Sequence, residues 1–283
     1  MKKNLIAILC FTMAFAVSAQ ELLFYPQKKE FIPAEIKLTD GSVLYGYIQD
    51  FSLPRTFEFR TMVYDFSAIE SKLKMDRKDF KYKATMDGEA RPMNLDDISY
   101  LLVKGDETVA YEKVKLKTVN AQKEVVDLER EVMVPILKEG NINLYGVGVS
   151  SCQAKDCQLI YIIVYVKHKD QEHAFIPIDY NRINFFNTGS LDDKFFESFA
   201  QVGKDCPEFL DYLETSKKQF DDKTYRKTLK DEYKAFQKIK KERLKEIKGA
   251  KNKRIAENEM DTEIFLSIYT KIINEYDSRC GVD

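Results

Sequence analysis

From Glu35 to about Tyr180, short apolar runs alternate with polar positions and break at turn-forming residues, the punctuation of antiparallel β-structure. Ile36-Lys37-Leu38 and Val43-Leu44-Tyr45 flank Asp40-Gly41, and Asp-Gly tolerates the positive φ angles of a tight hairpin. A second Asp-Gly, Asp87-Gly88, separates residues 82–85 from 90–93. Further strands are predicted at 100–103, 109–119, 144–149, 159–166 and 174–178, while the charged segment 66–80 reads as a short helix or a loop insertion. From Ser190 the apolar period lengthens to about 3.6 residues. Ser190 and Asp193 suit a helix N-cap and its partner, followed by Phe195, Phe196 and Phe199. Pro207 suits the first turn of a second helix, which carries Phe209, Leu210 and Leu213. A long charged helix is predicted over 223–248, ending near Gly249. A last helix is predicted from about Asp261, with Ile264, Phe265, Ile268, Tyr269, Ile272, Ile273 and Tyr276 as its core stripe.

These elements define an α+β chain: an antiparallel β-rich N-terminal body, then a helical C-terminal part with one long charged helix. Within the body, residues 20–120 form a small barrel or bent sheet and 121–189 a β-meander; the helical region covers 190–283.

The first residues set the compartment. Lys2 and Lys3 precede an apolar stretch from Leu5 to Val17, and Val17-Ser18-Ala19 presents a cleavage site, so 1–19 reads as a secretory signal peptide with the mature chain beginning at Gln20. The stretch is shorter than the ~20 residues a permanent membrane span needs. Cys10 raises lipidation as an alternative, but Leu9 stands where a small residue is expected and Cys10 lies inside the apolar run. The exported protein is therefore expected in the periplasm, at the outer membrane or outside the cell. After cleavage Cys152, Cys157, Cys206 and Cys280 remain, an even number that suits disulfides in an oxidising compartment. The expected pairs are Cys152 with Cys157, across a four-residue loop, and Cys206 with Cys280; buried free thiols are the alternative.

Two resemblances follow from particular residues. The stretch Ile36 to Phe51 (Ile-Lys-Leu-Thr-Asp-Gly-Ser-Val-Leu-Tyr-Gly-Tyr-Ile-Gln-Asp-Phe) resembles the first motif of Sm-like small barrels. Leu101 to Gly105 with Thr108 to Tyr111 resembles the second. That family's RNA-contacting Asp-x-x-Met-Asn and Arg-Gly are replaced by Ser52 to Arg55 and by Lys104-Gly105, so the resemblance implies a barrel without RNA binding. The latter half resembles a family of exported Bacteroidota proteins of unknown function. Its landmarks are Gly140 with Asn143-Leu144-Tyr145, Lys194-Phe195-Phe196, Asp205-Cys206-Pro207 and Ile272 to Tyr276 with Cys280, although Asp277 stands where that family has Asn. This likeness implies an envelope location and no particular activity.

Candidate chemistry is sparse. The only histidines, His168 and His173, share one polar loop and could hold a metal if Asp170 or Glu172 joined them; a solvated turn is the plainer expectation. Gly146-Val147-Gly148 lacks the third glycine of a nucleotide fingerprint. Asp96-Asp97 is the densest acidic pair near the β-region. It would serve a carboxylate-based hydrolase or ligand-processing enzyme if a concave pocket gathered it with other acids. No catalytic, cofactor or metal residue is assigned, and no cofactor or nucleic-acid partner is expected.

Charge changes the picture most. Residues 217–254 hold 16 Lys or Arg against 6 Asp or Glu, net +10; outside them and beyond Lys2 and Lys3, 27 basic residues face 40 acidic, net −13. On the predicted helix Leu229, Tyr233, Phe236, Ile239, Leu244 and Ile247 form an apolar side, and Lys234, Lys238, Lys241 and Lys245 form a basic row. The row fits an acidic protein or an anionic lipid, unless it is only a solvated face that pairs with the chain's own acids. The expectation is an exported envelope or surface protein that acts by binding another envelope component, with the carboxylate enzyme as its rival.

Overall fold

The computed structural model describes residues 21–22, 30–49, 78–105, 108–120, 122–153, 156–178 and 191–281, with the backbone alone described for 147–162. The signal peptide, Ser190 and most of the charged segment 66–80 lie outside the described residues. Only the end of that segment is seen, and Asp79 and Phe80 there belong to a strand.

After the two-residue β1 (Glu21–Leu22), β2 (Ile32–Leu38) and β3 (Val43–Gln49) form the expected hairpin. Gly41 takes φ +87° at the turn. The Asp40 carboxylate accepts from the Ser42 hydroxyl and amide at 2.7 and 2.8 Å, which holds its carboxyl below the ordinary range. β4 (Asp79–Lys83) and β5 (Arg91–Asn94) follow, then a 3-10 turn (Leu95–Asp97) and β6 (Ile98–Lys104). The strand order β6-β2-β3-β4-β5 bends a five-stranded sheet around Ala34, Ile36, Ile48, Phe80, Tyr82, Leu95, Ile98 and Leu101. Gly46 permits the tight curvature: a Cβ there would lie 2.3 Å from the Lys83 carbonyl oxygen and 2.5 Å from the Tyr82 ring.

β7 (Thr108–Val119), β8 (Val125–Lys138), β9 (Ile142–Gln153) and β10 (Asp156–His168) make the meander. The short β11 (His173–Phe175) pairs antiparallel with β10 and parallel with β7. With β7–β8, β8–β9 and β9–β10 also paired, five strands close into a barrel-like ring. The strand β8 is absent from the sequence expectation. Its first half carries Asp127, Glu129, Arg130 and Glu131 with only Leu128 apolar among them, a bulge interrupts its pairing with β7, and Pro135 falls near its end. Pro135 sits where β8 leaves β7 (Tyr111↔Pro135) for β9 (Ile136↔Tyr145), a place where a missing backbone donor is tolerated.

Helices cover the outer face of β9 and β10. α1 (Leu191–Val202) buries Phe195, Phe196, Phe199 and Val202, and α2 (Pro207–Asp221) buries Phe209 and Leu213. They meet Ile142, Leu144, Val164 and Val166 from the sheet. Asp193 pairs with Lys217 of α2. α3 (Lys223–Glu246) ends as expected before Gly249, which takes φ +86°. α4 (Ala250–Cys280) starts eleven residues earlier than the apolar stripe indicated. Its polar first turns have no stripe to announce them, yet Ala, Lys, Arg and Glu favour helix. Among the described side chains, α4 enters the main core from Leu266 onward, through Leu266, Tyr269, Ile272, Ile273 and Tyr276.

Candidate functional site

The Asp222 side chain caps α3 by accepting from the Tyr225 amide at 2.8 Å. At about 100° per residue, Lys234, Lys238, Lys241 and Lys245 fall within an arc of about 60°. All four are exposed. Lys234 lies 3.3 Å from Asp231 and Lys245 2.8 Å from Glu242, whose carboxyl is thereby held low. Lys238 and Lys241 have no ion pair among the described residues. The row thus keeps its charge, because the acids it meets belong to its own helix and are already counted in the net +10.

The inward side differs from expectation at one position. Ile239 is 53 % exposed, whereas Lys240 is buried together with Leu244. The helical period explains this: Tyr233, Lys240, Leu244 and Ile247 share one face, and Ile239 is rotated about 100° away from Lys240. The Lys240 ammonium binds Asp261 of α4 and lies 3.3 Å from Glu257. Burial raises the Asp261 carboxyl above its ordinary range, with Glu257 adding to the rise and Lys240 opposing it. Asp261 Oδ2 has no hydrogen-bond partner. One ion triad therefore joins the two helices of this hairpin behind the basic row.

Other candidates end in different surroundings. Asp96 and Asp97 are exposed in the 3-10 turn, where Asn94 accepts from the Asp96 amide and Lys113 lies 3.6 Å from the Asp96 carboxylate. His168 Nε2 is 3.0 Å from the Tyr276 hydroxyl, and its Nδ1 is 3.7 Å from Asp170. Burial, with Asp205, Asp170 and Asp277 nearby, raises the Tyr276 phenol. His173 instead faces Asp127 at 3.6 Å, and Glu172 binds Lys115. The loop therefore does not gather both histidines with an acid; His168 is a packing residue between β10 and α4 rather than part of a solvated turn.

One polar cluster escaped the sequence reading. Tyr145 donates to Glu112 at 2.6 Å, Asn143 donates to Tyr145 at 3.1 Å, and Lys167 binds the other Glu112 oxygen. Burial and the hydrogen bond to Glu112 push the Tyr145 phenol far up. Tyr100 is raised by burial and by Glu139, Glu35 and Glu112 around it. The available signal was strand parity: Glu112, Val114 and Leu116 occupy one face of β7, so Glu112 points the same way as two core residues. Each member has a partner, and the cluster reads as a satisfied plug within the ring.

Cys206 and Cys280 form the expected disulfide, linking the N-cap of α2 to the last residue of α4. Cys152 and Cys157 are directly opposed in the β9–β10 register, but their side chains lie outside the described residues. Among the described residues no helix is long and apolar enough to cross a membrane. No family model, no curated protein and no solved structure matches the chain.

Proposed function

We propose that this is an exported envelope protein that acts by binding, with the exposed lysine face of α3 as its contact surface for an anionic envelope component. The observation that carries the reading is the charge segregation. Within the net +10 stretch, residues 223–246 form a 24-residue helix of net +6, about 36 Å long, whose four row lysines all face solvent, while the mature chain outside the stretch is net −13. Placement in the envelope is supported by the leader-like residues 1–19 and by the likeness to exported Bacteroidota proteins. A binding role rather than a catalytic one is supported by how titratable groups are engaged, both those the sequence offered and the Glu112 cluster that only the fold brings together. Asp96 is ion-paired, His168 packs on Tyr276, and Glu112 is taken up by Tyr145 and Lys167. Such a surface attracts its partner over roughly one Debye length, about 8–10 Å at moderate salt, and so binds in a salt-dependent way. Replacing Lys234, Lys238, Lys241 and Lys245 by Glu is expected to release the protein from envelope fractions at moderate salt and to weaken its association at low salt. Unchanged association at both salts would reduce the row to solvation.

A further inference from the structure

The disulfide between α2 and α4 has a third donor beside it. Sγ of Cys206, Sγ of Cys280 and a carboxylate oxygen of Glu208 all lie within 4.8 Å of one another, with Glu208 Oε2 3.8 Å from Cys280 Sγ. Glu208 is exposed and has no ion pair among the described residues, whereas the nearby Arg279 is engaged by Glu275. A carboxylate is thus set against two sulfurs with no ion-pair partner among the described residues. The Cys206 side chain makes no capping hydrogen bond at the N-terminus of α2, a position that favours thiolate over thiol. The Cα atoms of the two cysteines are 6.1 Å apart. Two thiolates on a tetrahedral Zn2+ at about 2.3 Å sit about 3.8 Å from each other. Side-chain rotation can supply that separation without moving the helices.

We propose that Cys206, Glu208 and Cys280 form a redox-gated Zn2+ site, empty while the disulfide is intact and filled once it is reduced. The chemistry balances in two steps. Two equivalents of a thiol reductant open the disulfide, giving two cysteine thiols and the oxidised disulfide of the reductant. Zn2+ then takes both cysteines as thiolates, releasing two protons, with the Glu208 carboxylate as third ligand and one position left for water. Three anionic donors hold a dication, and the metal ties the N-terminus of α2 to the C-terminus of α4 as the disulfide did. The same two elements stay joined in either redox state; Cys206 is buried, while the half-buried Cys280 and the exposed Glu208 open one side of the site to ion and reductant.

The test uses the mature chain carrying Cys152→Ser and Cys157→Ser, so that only this pair of cysteines remains. Zn2+ alone is titrated against a chromophoric chelator, with and without a phosphine reductant that competes little for the metal. The expected result is one Zn2+ per chain after reduction, none before, and an X-ray absorption shell with two sulfur ligands. Adding Glu208→Gln, an exposed change that leaves both sulfurs in place, is expected to weaken affinity at least about tenfold. Adding Cys280→Ser should remove the two-sulfur shell. Equal Zn2+ binding with and without reduction, a shell holding fewer than two sulfurs, or a Glu208→Gln affinity equal to the parent would each overturn the proposal.

Discussion

Replacing Lys240 by Ala removes the cation that holds two helices together behind the basic row. Lys240 and Asp261 are 5 % and 6 % exposed, so the change leaves a buried carboxylate facing Glu257 without a counter-charge. Breaking a buried pair from one side costs about 3–5 kcal/mol. A large cost is expected here because Asp261 already has one oxygen without a partner and would lose its only ion pair among the described residues. The double change Lys240→Met with Asp261→Leu removes both charges and keeps the volume, and such apolar replacements are often neutral or stabilising. The double variant should therefore recover most of the loss. Urea unfolding gives the free energies, and amide hydrogen exchange over 236–262 shows whether the loss is local to the hairpin. A single variant costing less than about 1 kcal/mol, or a double variant as unstable as the single, would refute the claim that this triad fixes the hairpin.

Three further outcomes follow from other parts of the structure. Asp261 has a carboxyl raised by burial, so its contribution to stability is greatest below its unfolded value of about 3.9 and is lost as pH rises through the folded value. Whatever the variant loses by leaving Lys240 without this partner, the stability difference between Asp261→Asn and the parent should shift in the variant's favour as pH rises from about 4 to about 7; a shift in the parent's favour contradicts the sign. Tyr145→Phe removes the donor to Glu112 inside the ring and should cost about 1–3 kcal/mol in urea unfolding, while a neutral result would mean the plug is hydrated. Cys280→Ser opens a disulfide of sequence separation 74 and should cost about 4.5 kcal/mol on the chain-entropy account, read from oxidised parent and variant side by side. Full stability in the variant would mean that core packing alone holds α4.

Local rules made the hairpins legible. Asp40-Gly41 and Asp87-Gly88 lie between β2 and β3 and between β4 and β5, because positive φ or a tight turn is needed at those points whatever surrounds them. The aromatic stripe of α4 was legible for a similar reason, since Tyr269, Ile272, Ile273 and Tyr276 recur at helical spacing and are all buried. The strand β8 was hidden because its outward positions are charged and its pairing shifts from β7 to β9. Closure of the ring depends on three residues of β11 lying parallel to β7, a long-range pairing that no local pattern encodes. Of the candidate site, the exposed lysines were legible from period alone. The buried Lys240 was not, because an apolar pattern assigns Ile239 inward and cannot register that Asp261 and Glu257 of another helix compensate a charge. The Cys206–Cys280 pairing was expected from the number and spacing of cysteines, but the position of Glu208 beside it required the fold.

The most direct measurement of the binding surface is site-specific photo-crosslinking in intact envelopes, with the reactive residue placed at 238, at 241, or at the exposed Lys123 on the acidic body. The same envelope component should be captured from positions 238 and 241, and not from 123. Its yield should fall steeply when salt is raised to about 0.5 M, where the Debye length drops to roughly 4–5 Å. Equal capture from all three positions, or capture from 238 and 241 that ignores salt, would contradict the assignment of the α3 lysine face as the contact surface.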